Sequence, residues 1–548
     1  MKTDYEAVQQ LTGGDAVVKS LRVHGVDTVF ALPGAQIYGL TDALARHSEA
    51  IRTLGARHEQ TTAYMAFGYA RSTGRPGVFT VVPGPGILNA SAAMLTAHGC
   101  NTPVLALTGD VMSGFKDRGR GQLHEMPRQL DVLQHIGKWA AHIEQPTDAP
   151  WQIAQAFQKM QSGRPGVVSL QASWDYFTRV SAVRLQPPLA LQPTPPIDCD
   201  AVEQAAKLLA SARAPMIFVG SGALEASAEV SQLAEVLCAP VVSFRGGRGV
   251  VSDEHPLGFT VAAGAKLWPH TDVAVVIGSR FELLDIRWRY VPAGLKLIRI
   301  DIDPAEVRRI PAQINVIADA AEGANALVEA VLRVGSPKCR DAAIAEAKAA
   351  AEREIQSVQP QLDYLRVIRD VLPRDGFFIE EISQVGFTSI FGFPVYKPRT
   401  LVTSGHQGTL GFGFPTALGV KAAHPDKAVV SICGDGGFMF AAQELATAVQ
   451  YKLNLVTIVF NNNAFGNVYR DQQESFDGRF LGSELVNPDF VKFAESFGVQ
   501  ASRVSTPAQL RPVMEQALAA DRPVLIEVTM PRGIEASPWK FLHPTFPH

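Results

Sequence analysis

The chain is 548 residues long, enough for three or four domains at about 150 residues each. Hydrophobic residues make up 47% and charged residues 19%, which excludes a disordered chain and a small disulfide scaffold. Lys plus Arg number 50 against 53 Asp plus Glu, a formal charge of −3 that leaves no nucleic-acid footprint. Five dispersed cysteines (Cys100, Cys199, Cys238, Cys339 and Cys433) lack any CxxC spacing. They predict reduced, mostly buried thiols in a cytoplasmic protein, and no zinc site. The start of the chain carries no apolar signal region and no run of 18 or more apolar residues occurs, so no membrane partner is expected.

In chain order, TVFALPG reads as a buried strand ending in a turn, with IYGLTDALARH the helix after it. VFTVVPGPG and VLALTGD repeat the pattern, followed by APMIFVGSG, DVAVVIGSRF, LKLIRIDIDP, AVVSICGDGG and LVTIVFNNN. Continuous β-branched strands ending in Gly- or Asp/Asn-rich turns, with helices between, predict an α/β protein of parallel, doubly wound sheets. Ligands in such sheets bind outside the carboxyl ends of the strands. Residues 181–200 carry five prolines and read as an extended linker. Residues 340–358 are rich in Ala, Glu and Lys and predict a solvated helix. Three domains of similar size follow: 1–180, 200–335 and 360–548.

The strongest segment is Gly434-Asp435-Gly436, followed by Asn461-Asn462. One strand, AVVSIC, delivers Asp435; a helix, FAAQELATAVQYK, returns the chain; a second strand, LVTIVF, delivers Asn462. Two neighbouring parallel strands would set a carboxylate and an amide oxygen side by side, hard ligands suited to Mg²⁺. Gly436 and Gly437 let backbone N–H groups approach a diphosphate at a helix N-terminus.

This spacing is the thiamine diphosphate signature, and the resemblance then widens. RHEQTTAYMAFGYARSTGRPGVFTVVPGPGILNA (57–90), GRPGVVSL (163–170), LIRIDIDPAEV (297–307) and TSGHQGTLGFGFPTALGVKAAHPDKAVVSICGDGGF (403–438) resemble the acetolactate synthase and benzaldehyde lyase family. The resemblance implies an N-terminal aminopyrimidine-binding domain, a central Rossmann-like domain and a C-terminal domain for the diphosphate and Mg²⁺. It also implies active sites shared between subunits, hence a homodimer as minimal unit and a homotetramer as the assembly. Glu59 matches the glutamate that hydrogen-bonds the aminopyrimidine and favours its imino tautomer. Leu410 matches the apolar prop beneath the bent cofactor, and Gln384 a glutamine near the diphosphate. The backbone oxygen of Ala464 would join Asp435 and Asn462 on the metal. Pro83, Gly84, Asn89, Gly408, Gly434, Phe465 and Gly466 complete the implied cofactor set.

Other positions depart from the family. Asp471 stands about where acetolactate synthases carry an acceptor-selecting Trp. Their Phe-Gln-Glu reads Leu123-His124-Glu125, and their Lys after the GRPG strand is missing from LQASWDYF. The adjacent His pair of pyruvate decarboxylases is also absent. Gln36, the Pro83–Gly86 turn and the loop holding His124 are expected to converge on the reaction centre. There His124 would act as general acid/base and Gln36 would orient substrate. In the central domain Asp301, Asp303 and the arginines Arg245, Arg248, Arg280, Arg287 and Arg289 mark a candidate site for FAD or ADP.

The expected activity is thiamine-diphosphate- and Mg²⁺-dependent decarboxylation of a 2-oxo acid, with transfer of the acyl carbanion equivalent to a second carbonyl. The alternatives are a lyase or carboligase of 2-hydroxy ketones or of 2-hydroxyacyl- or oxalyl-CoA, a flavin-dependent oxidase, and a non-catalytic regulatory or structural homologue. Intact Glu59, Asp435 and Asn462 argue against the last.

Overall fold

Short β-branched runs set the framework. In the computed structural model, which describes residue 5 and residues 7–546, strands Val104–Asp110, Val429–Gly434 and Val456–Asn461 are buried almost throughout. Strands covered on both faces must be apolar along their whole length. Three six-stranded sheets form, and every pairing within them is parallel. Helices cover their faces, so the chain is an α/β protein of three doubly wound units.

The first sheet runs Arg52–Gly55, Thr28–Ala31, Gly77–Val81, Val104–Asp110, Val167–Ser173, Trp139–Ile143. The third runs Leu401–Val402, Phe377–Ile379, Val429–Gly434, Val456–Asn461, Val524–Thr529, Gln500–Val504. Numbered within each sheet, both have the order 2-1-3-4-6-5. The central sheet, between Gly258–Phe259 at one edge and Ile314–Ile317 at the other, has the order 3-2-1-4-5-6. In all three the order reverses beside the first strand, and that reversal opens a crevice for ligands.

The outer two units share a core. Helix Glu59–Thr73 of the first packs against helix Gly413–Ala423 of the third. A Cβ at Gly68 would stand 2.2 Å from the Thr416 carbonyl oxygen, and one at Gly419 2.0 Å from that of Met65. Two glycines therefore permit backbone-to-backbone approach, with Tyr64, Phe67 and Phe412 filling the space around it.

Four local expectations change. The linker is shorter than 181–200, because Val180–Arg184 pairs antiparallel with Val8–Thr12 and Cys199 already opens a helix capped by Asp198. The helix at 341–355 is not merely solvated. Ile344, Ala347, Ala351 and Ile355 form a narrow buried stripe that packs beside helix Val261–Leu267, since small residues at i, i+3 and i+4 spacing suffice for close contact. The helix expected over 440–452 is cut to Ala442–Glu444 and Leu445–Gln450. Finally, the cysteines are not all reduced and buried. Cys238 and Cys339 form a disulfide across 101 residues with their Cα atoms 5.2 Å apart, Cys199 is exposed, and Cys100 and Cys433 are buried thiols. Cys238, in a left-handed helix cap, faces the segment entering helix 341–355, a juxtaposition invisible in the spacing. Among the described residues no helix is long and apolar enough to cross a membrane.

Candidate active site

Gly434 pairs with Phe460 across the two adjacent strands, so Asp435 and Asn462 leave the sheet edge together. Asp435 is only 2% exposed. It accepts from Asn487 Nδ2 at 2.7 Å, and the backbone N–H groups of Gly436, Ala464 and Asn463 lie near enough to favour its charged form, with no basic side chain among its partners. Burial pushes its pKa up, against the pull of those donors. A buried carboxylate supplied with dipoles but no basic side chain suits a cation. Asn462 is also buried; its Oδ1 accepts from the Ala464 N–H at 3.1 Å and its Nδ2 donates to Glu535 Oε2 at 2.7 Å.

These residues line a cavity of about 250 Å³. Gln384, Leu410, Gly434, Gly436 and Gly437 line it together with Ala464, Phe465, Gly466 and Glu535. Gly408, expected here, is not in the lining. A carboxylate, an amide oxygen and a carbonyl are the hard oxygen donors that Mg²⁺ takes, so the residues present fit the cation. Gln384 is buried at a helix start, accepts from Arg470 and donates to Asn467 Oδ1 at 3.3 Å. Asp471 is exposed on the following helix and outside the cavity lining.

A second cluster forms at the matching edge of the first sheet. Glu59 opens its helix, and Asn89 Nδ2 donates to its Oε2 at 3.1 Å. The turn before it is held by the third unit: Glu444 accepts from the Arg57 N–H at 3.1 Å, and the Tyr451 hydroxyl accepts from the Gly55 N–H at 2.8 Å. After buried Pro83, Gly84 has φ +59 and caps helix Pro85–Gly99. A Cβ there would stand 2.5 Å from the His124 carbonyl oxygen, so this position requires glycine twice over. Gln36, 3% exposed, donates from Nε2 to the Leu123 carbonyl at 2.7 Å, and its Oε1 accepts from His124 Nδ1 at 2.9 Å. Leu123 thereby fixes the amide, the amide oxygen holds a proton on His124 Nδ1, and Nε2 is the ring nitrogen outside this bond. Gln36, the 83–86 turn and His124 stand together, and none of this cluster lines the Asp435 cavity.

The central sheet has its own cavity, about 590 Å³, at its order reversal. Ser221 and Gly222 follow the strand Pro215–Val219, and Gly278 to Arg280 follow Val273–Ile277. Asp301 lines it, lifted to about 6 by burial. Of the five arginines expected to gather there, only Arg280 lines this cavity. Arg248 is spent on the Ile390 and Phe393 carbonyls and on Asp253, Arg245 on the Gly405 carbonyl, Arg287 on His543, and Arg289 on the Ile286 carbonyl. Asp303 pairs with Arg164 at 3.2 Å.

With both edges described, comparison with known proteins decides the family. The thiamine pyrophosphate enzyme N-terminal TPP binding domain matches residues 11–133, the central domain 202–327 and the C-terminal TPP binding domain 382–528. The chain belongs to the thiamine pyrophosphate enzyme family. It is 31% identical to the probable acetolactate synthase large subunit of Methanococcus aeolicus, over 94% of this chain and 92% of the relative. It is 33% identical to the probable 2-ketoarginine decarboxylase of Pseudomonas aeruginosa, over 89% and 88% of the two chains. Identity to acetolactate synthase isozyme 3 large subunit of Escherichia coli is 29%, over 95% of each.

Sequence reasoning missed Glu535, Arg470 and Asn487. Glu535 follows the strand Val524–Thr529, which lies beside Val456–Asn461. Only that adjacency, which chain order conceals, points to it.

Proposed function

We propose that this thiamine-pyrophosphate enzyme uses Mg²⁺, decarboxylates a 2-oxo acid and transfers the acyl carbanion equivalent to a second carbonyl. The observation that carries the cofactor half is Asp435, a buried carboxylate among hard oxygen donors with no basic partner. The reaction half is supported by relatives named for acetolactate synthesis and for decarboxylation of 2-ketoarginine. Bound thiamine diphosphate supplies a thiazolium carbanion and an electron sink for C–C cleavage. Asp435, Asn462 and the Ala464 carbonyl would hold the cation, with Gly434, Gly436, Gly437, Phe465 and Gly466 around the diphosphate, Gln384 beside it and Leu410 as the prop. Glu59, steadied by Asn89, would hold the proton shared with the aminopyrimidine, beside Pro83 and Gly84. His124 would move a proton at the substrate oxygen through Nε2, with Gln36 holding its tautomer.

Glu59 is not among the residues that line the Asp435 cavity, and a second copy in a homodimer or homotetramer would bring the two together in one site. The domains are read as 1–180, 200–335 and 360–548, and the central cavity as the place for FAD or ADP. The test is enzyme loaded with thiamine diphosphate and Mg²⁺, offered a panel of 2-oxo acids and aldehydes. Carbon dioxide and coupled products, read by mass spectrometry, are expected. Carbon dioxide with aldehyde as the sole product favours simple decarboxylation, a reading supported by the decarboxylase relative and by Asp471 standing about where acetolactate synthases carry an acceptor-selecting Trp. Cleavage of 2-hydroxy ketones alone sinks both.

A further inference from the structure

The segment after the last strand of the third sheet turns back over the cavity and inserts one carboxylate, Glu535, which is 8% exposed. Its Oε2 accepts from Asn462 Nδ2 at 2.7 Å. Its backbone carbonyl accepts from Arg470 Nη2 at 2.5 Å, and Arg470 also bonds Gln384. Four residues on, Trp539 Nε1 donates to Asn467 Oδ1 at 3.1 Å. The segment is therefore tied at two points to the helix that follows Asn462.

An asparagine serves a cation only through its oxygen, yet the amide can rotate to present nitrogen at almost the same shape. The Ala464 N–H at Oδ1 favours one sense, and an acceptor at Nδ2 is needed to secure it. A carboxylate that accepts from Nδ2 makes the reversed amide unfavourable, because two oxygen acceptors would then face each other. We propose that Glu535 is a positioning residue for the metal, locking the Asn462 amide so that its oxygen, not its nitrogen, is offered to the cation. Partners that orient ligands in this way are worth about 10–100-fold in metal affinity. The inference rests on the reading of Asp435, Asn462 and Ala464 as the Mg²⁺ ligands.

Two conservative variants separate orientation from charge. Glu535→Gln can present either an oxygen or an N–H to the Asn462 amide and so loses the one-way lock, whereas Glu535→Asp keeps the charge but withdraws it by one methylene. Full-length protein with thiamine diphosphate is titrated with Mn²⁺ by electron paramagnetic resonance and with Mg²⁺ by calorimetry. The expected result is both Glu535→Gln and Glu535→Asp weaker by about 10-fold or more. Glu535→Asp binding as tightly as wild type overturns the inference. Glu535→Gln binding as tightly as wild type also overturns it, since an acceptor-only partner would then not be needed. Wild type that takes up no Mn²⁺ overturns the metal reading itself, a failure distinct from either.

Discussion

The first and third sheets have the same strand order, yet their ligand edges carry opposite chemistry. At the third sheet the turns beside the order reversal hold buried carboxylates: Glu380 and Glu381 after Phe377–Ile379, and Asp435 after Val429–Gly434. At the first sheet the corresponding turns hold Gln36 after Thr28–Ala31 and the Pro83–Gly86 turn after Gly77–Val81. Glu59, arriving from the edge strand, brings a charge toward that turn. One topology can thus serve two halves of a ligand. A polyanion held through a cation needs negative protein, and a neutral heterocycle needs directional hydrogen bonds.

The comparison breaks first at Asp435. Asp435→Ala should cost more than about 100-fold in Mg²⁺ affinity, exceeding the loss from a residue that only orients a ligand, and cofactor affinity should fall with it. Calorimetry with both components measures this, and unchanged affinity removes Asp435 from the metal.

Glu59→Gln should do the reverse, keeping cofactor affinity while turnover falls by about 10²–10⁴. Exchange of the bound cofactor's C2 proton for deuterium should slow in step. Mixing Glu59→Gln with Asp435→Ala subunits should restore part of the activity if each site draws on two copies. No recovery after demonstrated subunit exchange would place both residues in one chain's site.

His124→Ala should lower turnover by about 100-fold at unchanged cofactor affinity, and Gln36→Ala by less. Releasing the Nδ1 hydrogen bond should also displace the pH–rate profile in Gln36→Ala, because the tautomer is no longer held. A profile identical to wild type in both variants makes the pair structural.

Legibility follows the same divide. Asp435 and Asn462 could be read in advance because each ends a strand, and the helix between those strands forces them to be parallel neighbours. The three units were legible for a similar reason: fully buried β-branched strands leave few architectures open. Contacts set by distant loops were not. The Gln36–His124 hydrogen bond spans 88 residues and depends on a left-handed His124 at φ +60. Glu535 reaches Asn462 across 73 residues from a segment without a motif. The Cys238–Cys339 pair and the dispersal of the central arginines among backbone carbonyls, Asp253 and His543 belong to this class, where tertiary packing decides and spacing is silent.

The smallest expected effect concerns the charge stored at the third sheet. Burial lifts Glu380 from an ordinary 4.5 to about 7, opposed by Arg245 and by hydrogen bonds from Thr403 and Ser389. Its folded-state value lies above the unfolded one, so the native protein keeps the proton over a range where the unfolded chain has lost it. Stability should therefore fall as pH rises from about 4.5 to about 7, by at most about 3 kcal/mol for this group. Glu380→Gln has no proton to lose and can still accept from the Ser389 hydroxyl, which lies 3.2 Å from Oε2. The difference in thermal midpoint between variant and wild type should then grow in the variant's favour between about pH 5 and about pH 8, where Glu380 must ionise. Glu381, equally buried and also lifted to about 7, is present in both proteins and cancels in the comparison. A constant difference across that range would mean Glu380 is charged throughout, and the contrast between the two sheet edges would then be one of residue type without an electrostatic cost.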